Sequence, residues 1–101
     1  MLTSKTFVNP SGERLDSSFH PNARRDMLVI LGHGLTGNKD RPLLVALAEG
    51  LNARGWPCMR VSFSGNGQSQ GKFEDATISK EVEDLKAILE SIPDWVHVTY
   101  I

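Results

Sequence analysis

The sequence predicts an α/β fold in which an N-terminal β-hairpin precedes a β-α-β-α-β unit. The run at 27–31, MLVIL, is apolar at every position, which is typical of a strand buried on both faces of a parallel sheet. A second strand of this buried type is predicted over 58–63 and a third over 96–101. Amphipathic helices predicted over 41–54 and 78–92 separate the three strands. Strands that alternate with helices indicate a mostly parallel sheet with helices packed on its faces.

The hairpin is predicted from the first 19 residues. The segment 5–8 is a short strand candidate, 9–12 (NPSG) has the residues of a tight turn, and 13–19 alternates loosely between apolar and polar residues. A polar loop at 21–25 then leads to the first strand of the main sheet.

Both helices have recognisable ends. Asp40 is the predicted N-cap of the first helix, and Pro42 falls in its first turn, where a missing N–H costs little. Gly55 and Pro57 end that helix, and Pro93 ends the second one. The first helix carries one apolar face at helical spacing. Its members are Leu43, Leu44, Leu47, Ala48 and Leu51.

Composition limits the function classes. The chain has 101 residues, a net charge of −1 and an ordinary apolar content of 40%, so a single globular domain without a nucleic-acid partner is expected. Cys58 is its single cysteine, which excludes an intrachain disulfide and favours a reducing, cytoplasmic setting. We find no leader-like or membrane-spanning run, and we expect neither a metal nor a cofactor.

The glycine-rich segment 32–37, GHGLTG, has two functional interpretations. It matches G-x-G-x-x-G, a pattern of dinucleotide-binding loops, but that interpretation needs a helix that begins inside the motif. Pro42 opposes such a helix, because a proline inside a helix costs about 3 kcal/mol. The next strand also lacks the acidic residue that would bind the ribose. A dinucleotide-binding fragment is therefore the weaker alternative.

The same residues also form H-G-x-x-G directly after a buried strand. A loop of this kind, here His33, Gly34 and the residues up to Gly37, can direct the backbone N–H of Leu35 towards a developing oxyanion. A purely structural alternative stays open, in which the segment is a glycine-rich turn and His33 stabilises it by hydrogen bonding.

The segment 67–71, GQSQG, contains a literal G-x-S-x-G with Ser69 at its centre. A nucleophile elbow joins a strand directly to a helix, with the serine at the corner. Here residues 64–66 separate the motif from the preceding strand, and the next helix starts only near Thr77. His97 is the only histidine after Ser69, and it falls within a predicted buried strand. The sequence therefore predicts that Ser69 belongs to a polar loop and is not a nucleophile.

With both loops placed, the first at 32–37 and the second at 64–76, the chain resembles the α/β-hydrolase superfamily, and in particular its serine-aminopeptidase-like and monoacylglycerol-lipase-like branch. The resemblance is carried by VILGHGLTGNKD at 29–40, GWPCMRVSFSGNGQSQGKF at 55–73 and EVEDLKAILESIPDWVHVTYI at 81–101. It implies the front part of an α/β-hydrolase sheet with helices on both faces. One departure is Ser62, where family members often have Asp, so the hydrogen bonding of the second loop is expected to differ.

The resemblance also implies where the chemistry would lie. The nucleophile elbow is expected to follow the strand at 96–101, and the triad acid and histidine to come later. The chain is thus expected to be the N-terminal portion of a single hydrolase domain, inactive alone, from a serine hydrolase of small-molecule esters, thioesters or amides. The strand at 96–101 would be an exposed sheet edge that favours self-association. A non-catalytic α/β interaction module is the alternative function.

Overall fold

A hairpin opens the described part of the chain. The computed structural model describes residues 7–33 and 37–101, and its first two strands, β1 (Phe7–Val8) and β2 (Arg14–Leu15), pair antiparallel. The turn between them is held by Asn9, whose Oδ1 accepts hydrogen bonds from two backbone N–H groups. The predicted hairpin is confirmed.

The predicted strand at 13–19 is wrong in one respect, because it divides into two strands that belong to different sheets. β2 stays in the hairpin, whereas β3 (Ser17–His20) pairs antiparallel with β5 (Cys58–Val61). Asp16 lies at the division, where its N–H donates to the Ser69 hydroxyl and its carbonyl accepts from the N–H of Ser62. These long-range contacts redirect the chain from one sheet to the other.

The main sheet has four described strands in the order β3-β5-β4-β6. β4 (Met27–Leu31) lies in the middle and pairs in parallel with β5 on one side and with β6 (His97–Tyr100) on the other. The α/β class with a mostly parallel sheet is therefore confirmed.

The helices α1 (Pro42–Ala53) and α2 (Ile78–Glu90) cover opposite faces of this sheet. Successive side chains of β4 point to opposite faces of the sheet and pack in two different core clusters. Met27, Val29 and Leu31 pack in the cluster that contains Ala48 of α1. The intervening Leu28 and Ile30 pack in the cluster that contains Ile88 of α2.

The helix ends agree with the predictions except at one cap. The N-cap of α1 is Arg41, without a side-chain cap hydrogen bond, and not Asp40 as predicted. The carboxylate of Asp40 instead binds the cations of Lys39 and Arg60. Thr77 caps α2 through its side-chain oxygen, which accepts from the N–H of Lys80.

β6 differs from a strand buried on both faces. Val98 is half-buried, whereas His97, Thr99 and Tyr100 are exposed, because β6 pairs only with β4 among the described strands. The prediction that His97 lies in a buried-type strand is therefore wrong, and the predicted exposed edge is present. Self-association through that edge stays a prediction. Neither described helix is both long enough and apolar enough to cross a lipid bilayer.

Candidate active site

The candidate site lies where β4 and β6 reach the same edge of the sheet. The N–H of Ile101 donates to the carbonyl of Ile30, and the N–H of Gly32 donates to the carbonyl of Ile101, both at 2.9 Å. A Cβ atom at Gly32 would overlap the hydroxyl of Tyr100, so a larger residue there would require the Tyr100 ring to move. The loop after β4 therefore starts directly beside the end of β6.

Part of the predicted oxyanion loop lies outside the described residues. Gly34 and Leu35, both predicted site residues, belong to this part together with Thr36. The described ends of the loop are Gly32 and His33 on one side and Gly37 on the other.

His33 connects the two glycine-rich loops. Its Nε2 accepts a hydrogen bond of 3.0 Å from the N–H of Phe63, and the two rings pack at a centroid distance of 5.2 Å. The hydrogen-bonding role of His33 that the sequence left open is thus present, and it holds the start of the first loop against the start of the second.

Ser69 lies in a closed loop and not at a strand–helix corner. Its hydroxyl donates to the carbonyl of Ser62 at 2.6 Å and accepts from the N–H of Asp16 at 2.8 Å. A short 3₁₀ helix (Phe73–Asp75) follows, and α2 starts only at Ile78. Backbone groups of Ser62 and Asp16 thus occupy the donor and an acceptor position of this hydroxyl, which agrees with the prediction that Ser69 is not a nucleophile.

Ser62 ties the end of the first loop to the second loop. Its side chain is buried, and its Oγ accepts from the N–H of Lys39 at 2.8 Å. A Cβ atom at Gly67 would lie 2.9 Å from the same Oγ, and the φ of Gly67 is +55°. The serine that replaces the expected Asp thus makes a compact, neutral contact between the loops.

A cluster of charged groups supports the segment after the first loop, and the sequence analysis did not identify it. Arg60 of β5 is buried and donates from Nη1 to the carbonyl of Lys39 at 2.7 Å and to the carboxylate of Asp40 at 3.0 Å. Its Nε donates to Nε2 of His20 at 2.9 Å. Burial raises the pKa of Asp40, but hydrogen bonds from Arg60 and Lys39 outweigh that effect and leave it below its usual value.

We expect acid to weaken the fold through His20. Burial lowers the pKa of His20, and the nearby charge of Arg60 lowers it further, against a weaker opposite effect of Glu49. The unfolded chain therefore binds this proton more readily than the folded chain. The free energy of unfolding is expected to fall as the pH drops from the ordinary histidine value of 6.5 to the lower folded-state pKa.

A glutamine at position 20 provides the matched control for this prediction. His20→Gln replaces the acceptor nitrogen of the ring with an amide oxygen, which can accept from Arg60 but does not titrate. Urea unfolding between pH 8 and pH 5 is expected to show a smaller loss of stability in the variant than in the wild type. Parallel pH profiles for the two proteins would refute the role of His20.

An open depression of about 400 Å³ adjoins the described ends of the first loop. Its floor is formed by that loop and its wall by the start of α1. The described lining residues are Gly32, His33, Gly37, Arg41, Pro42, Leu43 and Leu44. This volume falls within the range of small-molecule sites. Because residues of the first loop line the depression, a ligand placed here would contact that loop.

Among the described residues, Cys58 and the acidic and histidine side chains offer no further candidate site. Cys58 is fully buried in the sheet, and burial raises the pKa of its thiol, so the nucleophilic thiolate is disfavoured. Within 7–33 and 37–101, no group of three or more His, Cys, Asp or Glu side chains is placed to hold a metal ion. The helix α1 starts five residues after Gly37, outside the glycine motif, which opposes a dinucleotide-binding loop.

Comparison with solved structures identifies the fold. Est1E from Butyrivibrio proteoclasticus, solved with ferulic acid bound, superposes with a TM-score of 0.80 at 29% identity over 93% of this chain. A serine hydrolase homologue with an alpha-beta fold, from Coxiella burnetii, gives a TM-score of 0.64 at 28% identity over 89% of this chain. The described residues form part of an α/β-hydrolase fold. An esterase from Pyrococcus furiosus, at 22% identity over 97% of the chain with a TM-score of 0.81, shows the same fold.

The chain resembles the α/β-hydrolases in its structure, whereas comparisons of its sequence found no match. No protein-family model matches the chain, and no curated protein matches it. The chain spans 40% of Est1E, 45% of the Coxiella burnetii protein and 38% of the Pyrococcus furiosus esterase. It therefore corresponds to less than half of each of these α/β-hydrolase structures.

Proposed function

We propose that these 101 residues supply the oxyanion loop of a serine hydrolase that cleaves small-molecule esters, thioesters or amides. The observation that carries this proposal is the pairing of Gly32 with Ile101 at the carboxyl edge of the parallel strands. In open α/β sheets, ligands bind in the crevice outside this edge. Any residue that follows Ile101 would begin beside the loop that contains His33, Gly34 and Leu35.

The proposed mechanism divides the chemistry between two parts of the protein. A serine that follows β6 gives its proton to a histidine base later in the protein and attacks the acyl carbon, so the carbonyl oxygen becomes an oxyanion. When this intermediate collapses, the alcohol, thiol or amine leaves with that proton, and water later releases the acyl group from the serine. The backbone N–H of Leu35 and that of the residue after the serine stabilise this charge. His33 and Gly34 shape the loop, with His33 held by the N–H of Phe63. The chain alone lacks the nucleophile and base of this proposal and is expected to be inactive.

A serine-directed fluorophosphonate probe tests where the nucleophile lies. The probe is applied to the 101-residue chain and to a longer polypeptide that continues past Ile101. We expect saturable labelling of the longer polypeptide at a serine after residue 101, and no labelling of the shorter chain. Ser69→Ala should leave the labelling of the longer polypeptide unchanged. Saturable labelling of Ser69 in either protein would overturn the proposal.

A backbone substitution tests the oxyanion donor in the same longer polypeptide. Leu35→Pro removes the amide hydrogen, and loss of one oxyanion donor typically lowers the rate by about 10²–10³. Leu35→Ala retains that hydrogen and is the matched control. Esters of ferulic acid are reasonable first substrates, because Est1E binds the free acid. Equal rates for the two variants would remove Leu35 from the mechanism.

The exposed edge of β6 supports a second candidate function, that of a strand-pairing interaction module. Its outer backbone groups pair with no other described strand, and Tyr100 and Ile101 beside them are exposed. Self-association through this edge would appear as a concentration-dependent mass in sedimentation. A monomer at all concentrations would count against it.

A further inference from the structure

Tyr100 lies at the end of β6, and its ring reaches the first residue of the loop that is proposed to hold the oxyanion. It pairs in register with Ile30 of β4, and Val98 on the same face of β6 packs against the cluster that contains Ile88 of α2. The side chain of Tyr100 therefore starts on the α2 face of the sheet, two residues or about 7 Å before the level of Gly32. Its hydroxyl spans this distance and lies beside Gly32.

The ring of Tyr100 limits the space next to Gly32. The three atoms nearest to the position of a Cβ atom at Gly32 all belong to Tyr100: the ring carbons Cζ at 2.9 Å and Cε1 at 3.0 Å, and the hydroxyl oxygen still closer. The φ of Gly32 lies outside the positive range of Gly65 and Gly67. Its backbone conformation is thus open to residues with a Cβ atom. The ring of Tyr100, and not the turn itself, is the obstacle to a larger residue at position 32.

Three contacts fix the start of the first loop. The N–H of Gly32 donates to the carbonyl of Ile101, and Nε2 of His33 accepts from the N–H of Phe63. The third contact is the ring of Tyr100 on the α2 face of Gly32. The two hydrogen bonds hold the loop start to β6 and to the second loop, whereas the ring blocks its displacement towards the α2 face.

We infer that Tyr100 is a positioning residue of the proposed hydrolase, whose ring sets the place of Gly32 and through it the oxyanion donor on Leu35. The inference rests on the proposed function, because it concerns the loop that is proposed to hold the oxyanion. Leu35 follows Gly32 by three residues, so a change in the position of Gly32 shifts the start of the segment that carries this donor. A displacement of about 1 Å in a catalytic arrangement can lower a rate by about a hundredfold.

Kinetics of the longer polypeptide that continues past Ile101 test this role, with p-nitrophenyl acetate as the probe substrate. Tyr100→Ala removes the ring and is expected to lower kcat about ten- to hundredfold. KM should change little, because the oxyanion forms only in the transition state. Tyr100→Phe retains the ring and should restore most of the rate. Thr99→Ala is the matched control, since Thr99 pairs with Val29 on the opposite face of β6.

Active-site titration separates positioning from a loss of folded protein. Rates are expressed per site that reacts with the fluorophosphonate probe at the end point, so a variant that only folds less well loses sites and keeps its kcat per site. A wild-type kcat per site in Tyr100→Ala would overturn the inference. A change in KM instead of kcat, or a Tyr100→Phe protein as slow as Tyr100→Ala, would also overturn it.

A double-mutant cycle tests the contact between the ring and Gly32. Gly32→Ala alone should lower kcat per site, because its Cβ atom would displace the ring of Tyr100. In the Tyr100→Ala background the same substitution meets no ring, and its effect should be about tenfold smaller, as for residues in direct contact. Additive effects of the two substitutions would contradict the inference.

Failure of this inference differs from failure of the proposed function. If the longer polypeptide is labelled at a serine after residue 101 and Tyr100→Ala behaves like Thr99→Ala, the proposed function stands and the positioning role is rejected. If no serine after residue 101 is labelled, the proposed function is rejected and the positioning role with it.

Discussion

Replacing Gly65 with alanine is expected to lower the free energy of unfolding by about 2–4 kcal/mol. The φ of Gly65 is +81°, a region that residues with a Cβ atom rarely adopt. A Cβ atom there would lie 2.5 Å from the carbonyl oxygen of Lys72 and 2.8 Å from its carbonyl carbon. Both are backbone atoms, which cannot move away as a side-chain end could. Urea unfolding of the variant measures the loss.

A loss of stability is expected at position 65 because Gly65 closes the second loop. The N–H of Gly65 donates to the carbonyl of Gln70 at 2.9 Å and closes the loop, so a shift at Gly65 would open it. Gly50→Ala is the matched control, because a Cβ atom there meets nothing within 4 Å and the residue lies inside α1. Alanine should stabilise that helix by about 1 kcal/mol. A Gly65→Ala protein as stable as the wild type would show that the loop is not closed in this way.

Replacing Asp84 with alanine is expected to cost about 2–5 kcal/mol, the second large effect. Asp84 lies on α2 and is fully buried. One carboxylate oxygen accepts from the N–H of Ser64 and the other from the side-chain amide of Asn9, each at 2.8 Å. Alanine would leave both buried donors without this acceptor, and a buried unsatisfied donor costs about 1–3 kcal/mol.

Two further variants define the cause of the Asp84 effect. Asp84→Asn retains one acceptor oxygen and should lose less stability than Asp84→Ala. Glu83→Ala removes an exposed carboxylate from the neighbouring position on α2 and should change stability by no more than about 0.5 kcal/mol. Similar losses in the Asp84→Ala and Glu83→Ala proteins would refute the bridging role of the Asp84 carboxylate.

Asp84 also shows what could not be predicted from the sequence. Its position in the apolar pattern of α2 gave no reason to expect a buried carboxylate, because both of its partners lie on other elements. The same holds for the bond from Arg60 to His20, which joins residues forty positions apart. One feature of the sequence could have indicated this bond. Arg60 lies within a predicted buried strand, and a buried arginine needs hydrogen-bond acceptors close to it.

The position of the first loop at the edge of the sheet was predicted, whereas its contacts were predicted only partly. A glycine-rich loop after a fully apolar strand indicates a turn at the carboxyl edge of a parallel sheet, and Gly32 lies there. Leu35, the predicted oxyanion donor, lies outside the described residues and stays a prediction. The depression with Arg41 was not predicted, because residues 41–44 were interpreted only as the start of a helix.

The sequence by itself determined the order of strands and helices and the role of Ser69 as a loop residue. Apolar periodicity and glycine and proline positions are local properties, so they can be recognised without knowledge of distant contacts. Only the tertiary structure decided that 13–19 divides between two sheets, that Arg41 rather than Asp40 caps α1, and that β6 is exposed. The first two features depend on contacts with residues distant in sequence. The exposure of β6 follows because only one described strand pairs with it. A local pattern of residues carries no information about such partners.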